Sequence, residues 1–369
     1  MFFTKKRPKE IEYSSVNQEV WKKLKKNKMA MFSLFIIGFF SLVAILGYTI
    51  TPDQTPFANE QHLEITTKKP GFNIDFLRVY EGERKQKKNF FKHLAFGTKN
   101  NFSSQPIYKY WTKGDSLYVE FYTGEKNNKG EIHSFKTANK NYEIKNKTFW
   151  LGTDRYGRDL LSQLMIGTRV SLSVGFISII ISLIIGLSLG AIAAYFGKWV
   201  DNLIMWLINV VWSIPTILLV IAITFALGKG FWQVFVAVGL TMWVDVARVV
   251  RGQILSLKEK EFVEAGKALG FRNSRIIIKH ILPNVVGAAT VITASNFATA
   301  ILQEAGLSFL GIGVQPPMPS WGTMIKENYG YIILDSPYMA IIPGLAIMLL
   351  VLAFILLGSG LRQAMDVKE

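Results

Sequence analysis

Long apolar blocks alternate with strongly polar stretches along the chain. A hydrocarbon core about 30 Å thick takes roughly 20 mostly apolar residues per helix, and several of the blocks reach that length. We therefore expect an all-α membrane protein. The pattern predicts six spans, at residues 29–51, 169–195, 203–227, 231–250, 283–303 and 338–360.

The fourth and fifth predicted spans differ from the others because they contain polar side chains. Polar groups in hydrocarbon usually face the interior of a helix bundle or a wet cavity. We therefore expect these two spans to face protein or a pathway rather than lipid. The polar residues are Asp245 in the fourth span and Asn284, Thr290, Thr293, Ser295, Asn296 and Thr299 in the fifth.

Residues 52–150 are different in kind, because they are polar and rich in lysine. Leu117, Val119 and Phe121 alternate with more polar neighbours, which is typical of a strand, and the run 124–130 predicts a hairpin turn. We predict a small, partly β insertion outside the cytoplasm.

Basic residues indicate the orientation in the membrane. A lysine cluster at 22–28 precedes the first span and a second basic segment covers 248–280, whereas the short predicted outer segments hold only Lys229 and Lys326. Because Lys and Arg concentrate in short cytoplasmic loops, we expect both termini to be cytoplasmic. A net charge of +16 could suggest nucleic-acid binding, but its placement beside the spans argues against that partner.

The chain has no cysteine, which excludes disulfides and thiolate metal sites. Its four histidines lack metal-binding spacing, and no glycine-rich phosphate loop is present. We therefore expect no catalytic residue, no metal site and no cofactor bound by this chain. Any ATP hydrolysis would have to take place on another polypeptide.

Two spans contain motifs with alternative interpretations. Gly186, Ser188 and Gly190 match the pattern around a hydrolase nucleophile, but small residues at this spacing also let membrane helices approach closely, and the apolar context favours packing. Pro215 in the third span predicts a bend. A hinge and a static kink are both open, and a static kink is favoured because membrane helices tolerate proline.

The stretch from Ser256 to Pro283 predicts a cytoplasmic amphipathic helix of about 13 residues. Ser256 and Glu259 match a capping box, and Gly270 suits the left-handed position after a helix. The helix could lie on the lipid surface. Its mixed charge instead favours docking to a partner protein.

This stretch also resembles the signature of ABC importer permeases, which runs Glu-Ala-Ala, Gly and, further on, Leu-Pro. Gly266 stands where the family usually has alanine. In that family the segment is the coupling helix, which sits in a groove of the ATPase subunit. By resemblance, the coupling residues are Glu261, Glu264, Ala265, Gly266, Ala268, Leu269, Gly270, His280, Leu282 and Pro283.

Two further stretches, 151–159 and 307–322, resemble the C-type subunit of the oligopeptide, dipeptide and nickel permeases. Their prolines fix φ and their glycines allow φ values closed to other residues, so both should form rigid turns. The outer-motif residues are Gly152, Thr153, Asp154, Gly157, Arg158, Asp159, Gly311, Gly313, Pro316, Pro317 and Trp321.

The resemblance implies a type I importer permease of MetI-like architecture in the bacterial inner membrane. It would divide the chain into a cytoplasmic tail (1–28), a first transmembrane helix (29–51), the insertion (52–150) and a permease core (151–369) with a cytoplasmic coupling loop (251–282).

The resemblance also implies a set of partners. They are a homologous second permease subunit, two ABC ATPase subunits that carry ATP and Mg²⁺, and an extracytoplasmic solute-binding protein that delivers peptides. Nickel, a modified peptide or an antibiotic are alternative substrates. From other classes, a receptor or scaffold that uses the insertion and an enzyme built around Ser188 are the alternatives.

Overall fold

The computed structural model describes residues 16–82, 89–124, 130–136, 141–228 and 230–365. Within them the helices are α1 (Val16–Lys26), α2 (Lys28–Ile50), α3 (Phe90–Phe96), α4 (Leu160–Phe196), α5 (Lys198–Trp212), α6 (Thr216–Leu227), α7 (Phe231–Leu257), α8 (Glu261–Ala268), α9 (Asn273–Arg275), α10 (Leu282–Phe309), α11 (Trp321–Asn328) and α12 (Tyr338–Met365). Five helices are long and apolar enough to cross a membrane: α2, α4, α7, α12 and the continuous run Asn273–Phe309.

Helices α5 and α6 meet at a bend of 91° and are together long and apolar enough for a sixth crossing. The predicted span 203–227 is therefore divided into two helices, with the bend beside Pro215. Pro215 has no backbone N–H, and helix α5 ends at Trp212 before α6 begins at Thr216. The preference for a static kink over a hinge stays a prediction.

The pairing of α4 with α7 forms the centre of the bundle. A Cβ at Gly186 would lie 2.5 Å from Val246 Cβ, and one at Gly190 would lie 2.6 Å from the Ala247 carbonyl oxygen. Only glycine permits so close an approach. Ser188 is exposed, and its hydroxyl donates to the Ile184 carbonyl at 2.7 Å. The packing interpretation of this motif is confirmed.

Helix α10 continues from α9 through a π-helical turn, Ile276–Ile281. Pro283 follows this turn, and a proline ring clashes with the carbonyl four residues before it. The wider π turn relieves this clash. The helix therefore begins at Asn273, ten residues before the predicted span boundary at 283.

The strands of the insertion are β1 (Phe72–Tyr80), β2 (Phe102–Lys113), β3 (Ser116–Phe121), β4 (Ile132–Lys136) and β5 (Tyr142–Phe149). They form an antiparallel sheet in the order β4-β3-β2-β1-β5. Leu117 and Val119 on β3 are buried against Leu77 and Ile107, as the alternation predicted. Strands β3 and β4 pair as a hairpin, although residues 125–129 of the predicted turn lie outside the described residues.

Candidate functional site

Helix α8 is a short element that lies at the same end of the bundle as the C-terminus of α4. Lys258 Nζ donates to the Ala194 carbonyl at 3.2 Å, and the Tyr195 hydroxyl donates to Asn273 Oδ1 at 2.9 Å. These two contacts join the segments on both sides of α8 to one end of α4. The segments that flank α8 are therefore both hydrogen-bonded to a central membrane helix.

The predicted capping box before α8 is wrong. Ser256 lies within α7, which continues to Leu257 because Ile254 is still buried in the core beneath α8. Helix α8 instead begins after Lys260, which provides no side-chain cap, and spans eight residues rather than about 13. Arg251 likewise lies inside α7 and not in the loop predicted at 251–282.

One face of α8 is buried and the opposite face is open. Val263 and Gly266 are buried against a core that includes Ile276. A Cβ at Gly266 would lie 3.6 Å from Ile276 Cγ1, an ordinary contact, so the usual family alanine would fit. The exposed residues of α8 are Glu261, Phe262, Glu264, Ala265, Lys267 and Ala268, and Leu269, just after the helix, is exposed as well.

This exposed surface combines two acidic side chains and one lysine, Lys267, with apolar side chains. Leu269 is 71% exposed, and Phe262 at the edge of the face is 41% exposed. Carboxylates can accept charge-assisted hydrogen bonds from a partner, and exposed apolar residues at a helix surface favour burial against protein. The face therefore suits docking into a groove with basic residues at its rim.

Gly270 ends α8 with φ +71°, as the sequence predicted. The chain then returns through Phe271, whose ring stacks on His280 at 5.8 Å between centroids. His280 is half-buried, and its Nε2 has no hydrogen-bond partner within the described part of the chain. Leu282 is half-buried and Pro283 is exposed, so of these last predicted residues only Pro283 lies open.

The first outer motif lies at the opposite end of the bundle and forms a tight loop before α4. Asp154 accepts from the backbone N–H of Tyr156 and Arg158 and from Arg158 Nε at 2.6 Å. Arg158 Nη2 donates to Glu327 of α11 at 2.7 Å. Asp159 caps α4 by accepting from Leu161 N–H. The Thr153 hydroxyl accepts from the backbone N–H of Lys68 and donates to the Ile65 carbonyl.

The glycines of this loop are required by close backbone contacts. A Cβ at Gly157 would lie 1.8 Å from the His62 carbonyl oxygen, and one at Gly152 would lie 2.2 Å from that of Lys68. Both glycines also have positive φ. The motif therefore fixes the insertion to the start of α4.

The second outer motif packs against α4 through Trp321. This residue is fully buried, and its Nε1 donates to the Leu164 carbonyl at 3.0 Å. Gly311 has φ +79°, and a Cβ at Gly313 would lie 2.4 Å from Ser308 Oγ. Pro316 and Pro317 are exposed. With the Arg158–Glu327 ion pair, the two motifs form one rigid outer assembly.

Comparison with known proteins places these features in a family. The family described as "Binding-protein-dependent transport system inner membrane component" matches residues 186–367, and "N-terminal TM domain of oligopeptide transport permease C" matches residues 15–70. The dipeptide transport system permease protein DppC of Alkalihalophilus pseudofirmus is 43% identical over 219 residues, covering 59% of this chain and 72% of the relative.

The chain belongs to the binding-protein-dependent ABC permease family, as a C-type subunit. The glutathione transport system permease protein GsiD of Pectobacterium atrosepticum is 42% identical over the same shares of both chains. A chain of the inward-facing MetNI methionine ABC transporter is 20% identical, covers 57% of this chain and 98% of its own length, and has a TM-score of 0.45. The predicted family and fold class are confirmed.

The permease has a small polar cavity beside the α5–α6 bend, with a volume of about 70 Å³. Asp245, Thr299 and Gln303 line it together with Trp212, over whose ring Arg248 lies at 3.7 Å. Helix α7 otherwise packs inside the bundle, as predicted. On α10, the hydroxyls of Thr290, Thr293 and Thr299 each donate to a carbonyl four residues earlier.

Sequence reasoning missed a buried carboxyl group in the permease. Glu304 is fully buried and accepts from Ser171 Oγ at 3.1 Å and from Ser308 Oγ at 2.8 Å. It thereby joins α4 and α10 just below the second outer motif. An acidic residue four positions before a serine at the end of an apolar span was the signal that could have found it.

Proposed function

We propose that this chain is a permease subunit of an ATP-driven importer that takes up peptides across the bacterial inner membrane. The observation that carries the proposal is the open, acidic and apolar face of α8, joined to α4 and followed directly by α10. The printed names of its relatives, a dipeptide and a glutathione transport permease, support a peptide or peptide-like substrate.

The proposed assembly contains a homologous permease subunit, two ABC ATPase subunits and an extracytoplasmic solute-binding protein. ATP and Mg²⁺ are bound by the ATPases, and this chain supplies no cofactor site. Both termini and α8 face the cytoplasm, while the insertion and α11 face outward. The basic segment 248–280, which contains α8, supports this orientation.

The proposed mechanism is alternating access. Nucleotide can shift the permease between its states only if the ATPases contact those states differently. Helix α8 supplies such a contact, because its open face binds the ATPase and its buried face rests on Ile276 at the root of α10. The cavity lined by Asp245 of α7 and Gln303 of α10 lies between two helices that would move with α8.

Charge reversal on the open face tests the proposal. Glu264→Arg should reduce ATPase copurification and abolish peptide uptake by cells, with unchanged abundance in the membrane. Truncating one partner of a docked charge pair typically costs about 2–5 kcal/mol, and reversal adds repulsion. Lys260→Ala is the matched control, since Lys260 is exposed and contributes no cap. Normal uptake and copurification by Glu264→Arg would reject α8 as the docking element.

A further inference from the structure

Helix α3 of the insertion exposes an unusual amount of apolar surface for an extracytoplasmic segment. Phe90, Phe91 and Phe96 are 61%, 78% and 69% exposed. The other side of the helix is attached to the protein: His93 is buried, and its Nδ1 lies 2.6 Å from Thr98 Oγ1. The orientation of α3 is thus fixed with its phenylalanines outward.

Arg169 of α4 determines the depth of α3 relative to the spans. Its guanidinium donates to the carbonyls of Ala44 and Ile45 on α2 at 2.8 and 3.0 Å, and to those of Leu94 and Ala95 on α3, both at 2.9 Å. At a rise of about 1.5 Å per residue, the Ala44 carbonyl lies about 9 Å before the end of α2. The end of α3 therefore lies beside the last turns of a spanning helix and not above them.

The protein surface next to α3 is also apolar. Arg169 is one of the residues that line an apolar groove of about 690 Å³ formed by α2, α4, α10 and α12, whose lining also includes Ile37, Phe176 and Phe297. Ile45 on α2 and Phe176 on α4 are each 61% exposed. Helix α3 lies beside this apolar surface, because the carbonyls of Leu94 and Ala95 accept from Arg169, which lines the groove.

We propose that α3 is an interfacial anchor whose phenylalanines insert into the outer leaflet of the bilayer. Helices of this type lie in the plane of the interface with the apolar face buried among the acyl chains. Lys92 is exposed on the same helix, and a lysine stem can extend along apolar surface while its ammonium group reaches the phosphate headgroups. The anchor ties one end of the insertion to the membrane and to α2 at once.

The anchoring would also limit how the sheet can move. Helix α3 lies directly between β1 and β2, and Gly97 after it has φ +71°. A Cβ at Gly97 would lie 2.7 Å from the Gln54 carbonyl oxygen and 3.0 Å from the Tyr48 ring. The turn after α3 therefore packs closely against the end of α2 and the residues that follow it. This packing would fix the distance between the sheet and the membrane surface.

Site-directed spin labelling of the full chain in its copurified assembly, reconstituted in lipid nanodiscs, tests the anchor. The absence of native cysteine leaves no background from this chain. Nitroxides at Phe91→Cys and Phe96→Cys should show an oxygen-to-nickel-chelate accessibility ratio several-fold higher than one at Tyr110→Cys, an exposed aromatic site on β2. Leu42→Cys on α2 supplies the lipid-exposed reference.

Two results would overturn the proposal. A ratio at both α3 sites equal to that of Tyr110→Cys would place the phenylalanines in water. Immobile labels closed to both reagents would mean that a partner protein covers α3. Because the replaced side chains project outward, neither variant should change the fold. The proposal requires the same result at both sites.

Discussion

Glu60 is a nearly buried carboxylate at the base of the insertion, where it holds two elements together. Its oxygens lie 3.3 Å from Lys147 Nζ on β5 and 3.6 Å from His62 Nε2. Burial alone would raise the pKa of Glu60, but the nearby His62, the charge of Lys147 and the hydrogen bond from Lys147 outweigh it and lower the pKa to about 2. The carboxylate therefore stabilises the folded insertion in its ionised form.

The sign of the pH dependence follows from this lowered pKa. Stabilisation by Glu60 is complete above its ordinary pKa of 4.5 and is lost as the pH falls towards 2. Glu60→Gln should weaken hydrogen-exchange protection of β1 and β5 at pH 7, by up to about 3 kcal/mol, and the deficit relative to wild type should shrink below pH 4.5.

Glu64→Gln, at an exposed position in the same connection, is the control for that measurement and should leave the protection of both strands unchanged. A Glu60→Gln deficit that stays constant from pH 7 to pH 3 would contradict the assigned role of the carboxylate.

Single residues were predictable where one physical requirement acts alone. Gly186 and Gly270 were assigned correctly because close helix packing and a left-handed turn each leave glycine as the favoured residue. Ser256 was misassigned because a local capping pattern competed with the burial of Ile254, and tertiary packing extended α7 past it. Glu304 joins α10 to α4 through Ser171, a partner far away in the sequence.

At the scale of the elements, a substitution of Gly270 in the turn after α8 would test the effect of backbone strain alone, without a steric clash. A Cβ at Gly270 would meet no atom within 4 Å, so only its φ of +71° opposes substitution. A left-handed residue other than glycine costs roughly 1–2 kcal/mol, and a β-branched one is less tolerated. Gly270→Val should therefore misdirect the return from α8 and lower the peptide transported per ATP hydrolysed.

Gly270→Asn is the matched variant, because asparagine tolerates the left-handed region. It should retain most of the coupling measured in the reconstituted assembly. Equal coupling in Gly270→Val, Gly270→Asn and wild type would mean that this turn does not transmit motion.

The apolar centres of the spans were predictable from hydropathy, whereas several helix ends were not and breaks within the helices were only partly so. The bend at Pro215 was expected, yet its angle of 91° depends on packing of α5 and α6 against different parts of α7. The π turn before Pro283 depends on backbone geometry that hydropathy does not report. The position of α3 depends on carbonyl contacts with Arg169, which carry no sequence pattern.

At the scale of the whole molecule, the junction of α1 and α2 meets the end of α12 at one end of the bundle. Asn27 Nδ2 donates to Gln363 Oε1 at 3.1 Å, and Leu24 packs with Ala364. Helix α8 lies at this same end, whereas the insertion and α11 are joined at the other by the Arg158–Glu327 ion pair. Six crossings, with α5 and α6 counted as one, account for this arrangement.

Cysteine labelling of sealed cells tests which end faces the cytoplasm. Lys109→Cys on β2 and Lys326→Cys on α11 should react with an impermeant thiol reagent, because both positions are exposed at the outer end. Lys260→Cys should react only after the cells are opened. Labelling of Lys260→Cys in sealed cells would contradict the proposed orientation and would place α8 outside the cytoplasm.

Peptide accumulation in proteoliposomes tests the central claim most directly. Vesicles should contain this chain with its copurified permease and ATPase subunits. Binding protein and labelled dipeptide are added on the side of the insertion, and Mg-ATP on the side of α8. The account predicts ATP-dependent accumulation that Glu264→Arg abolishes and Lys260→Ala leaves intact. An assembly that binds peptide and hydrolyses ATP but accumulates none, or one that accumulates peptide equally well without this chain, would contradict it.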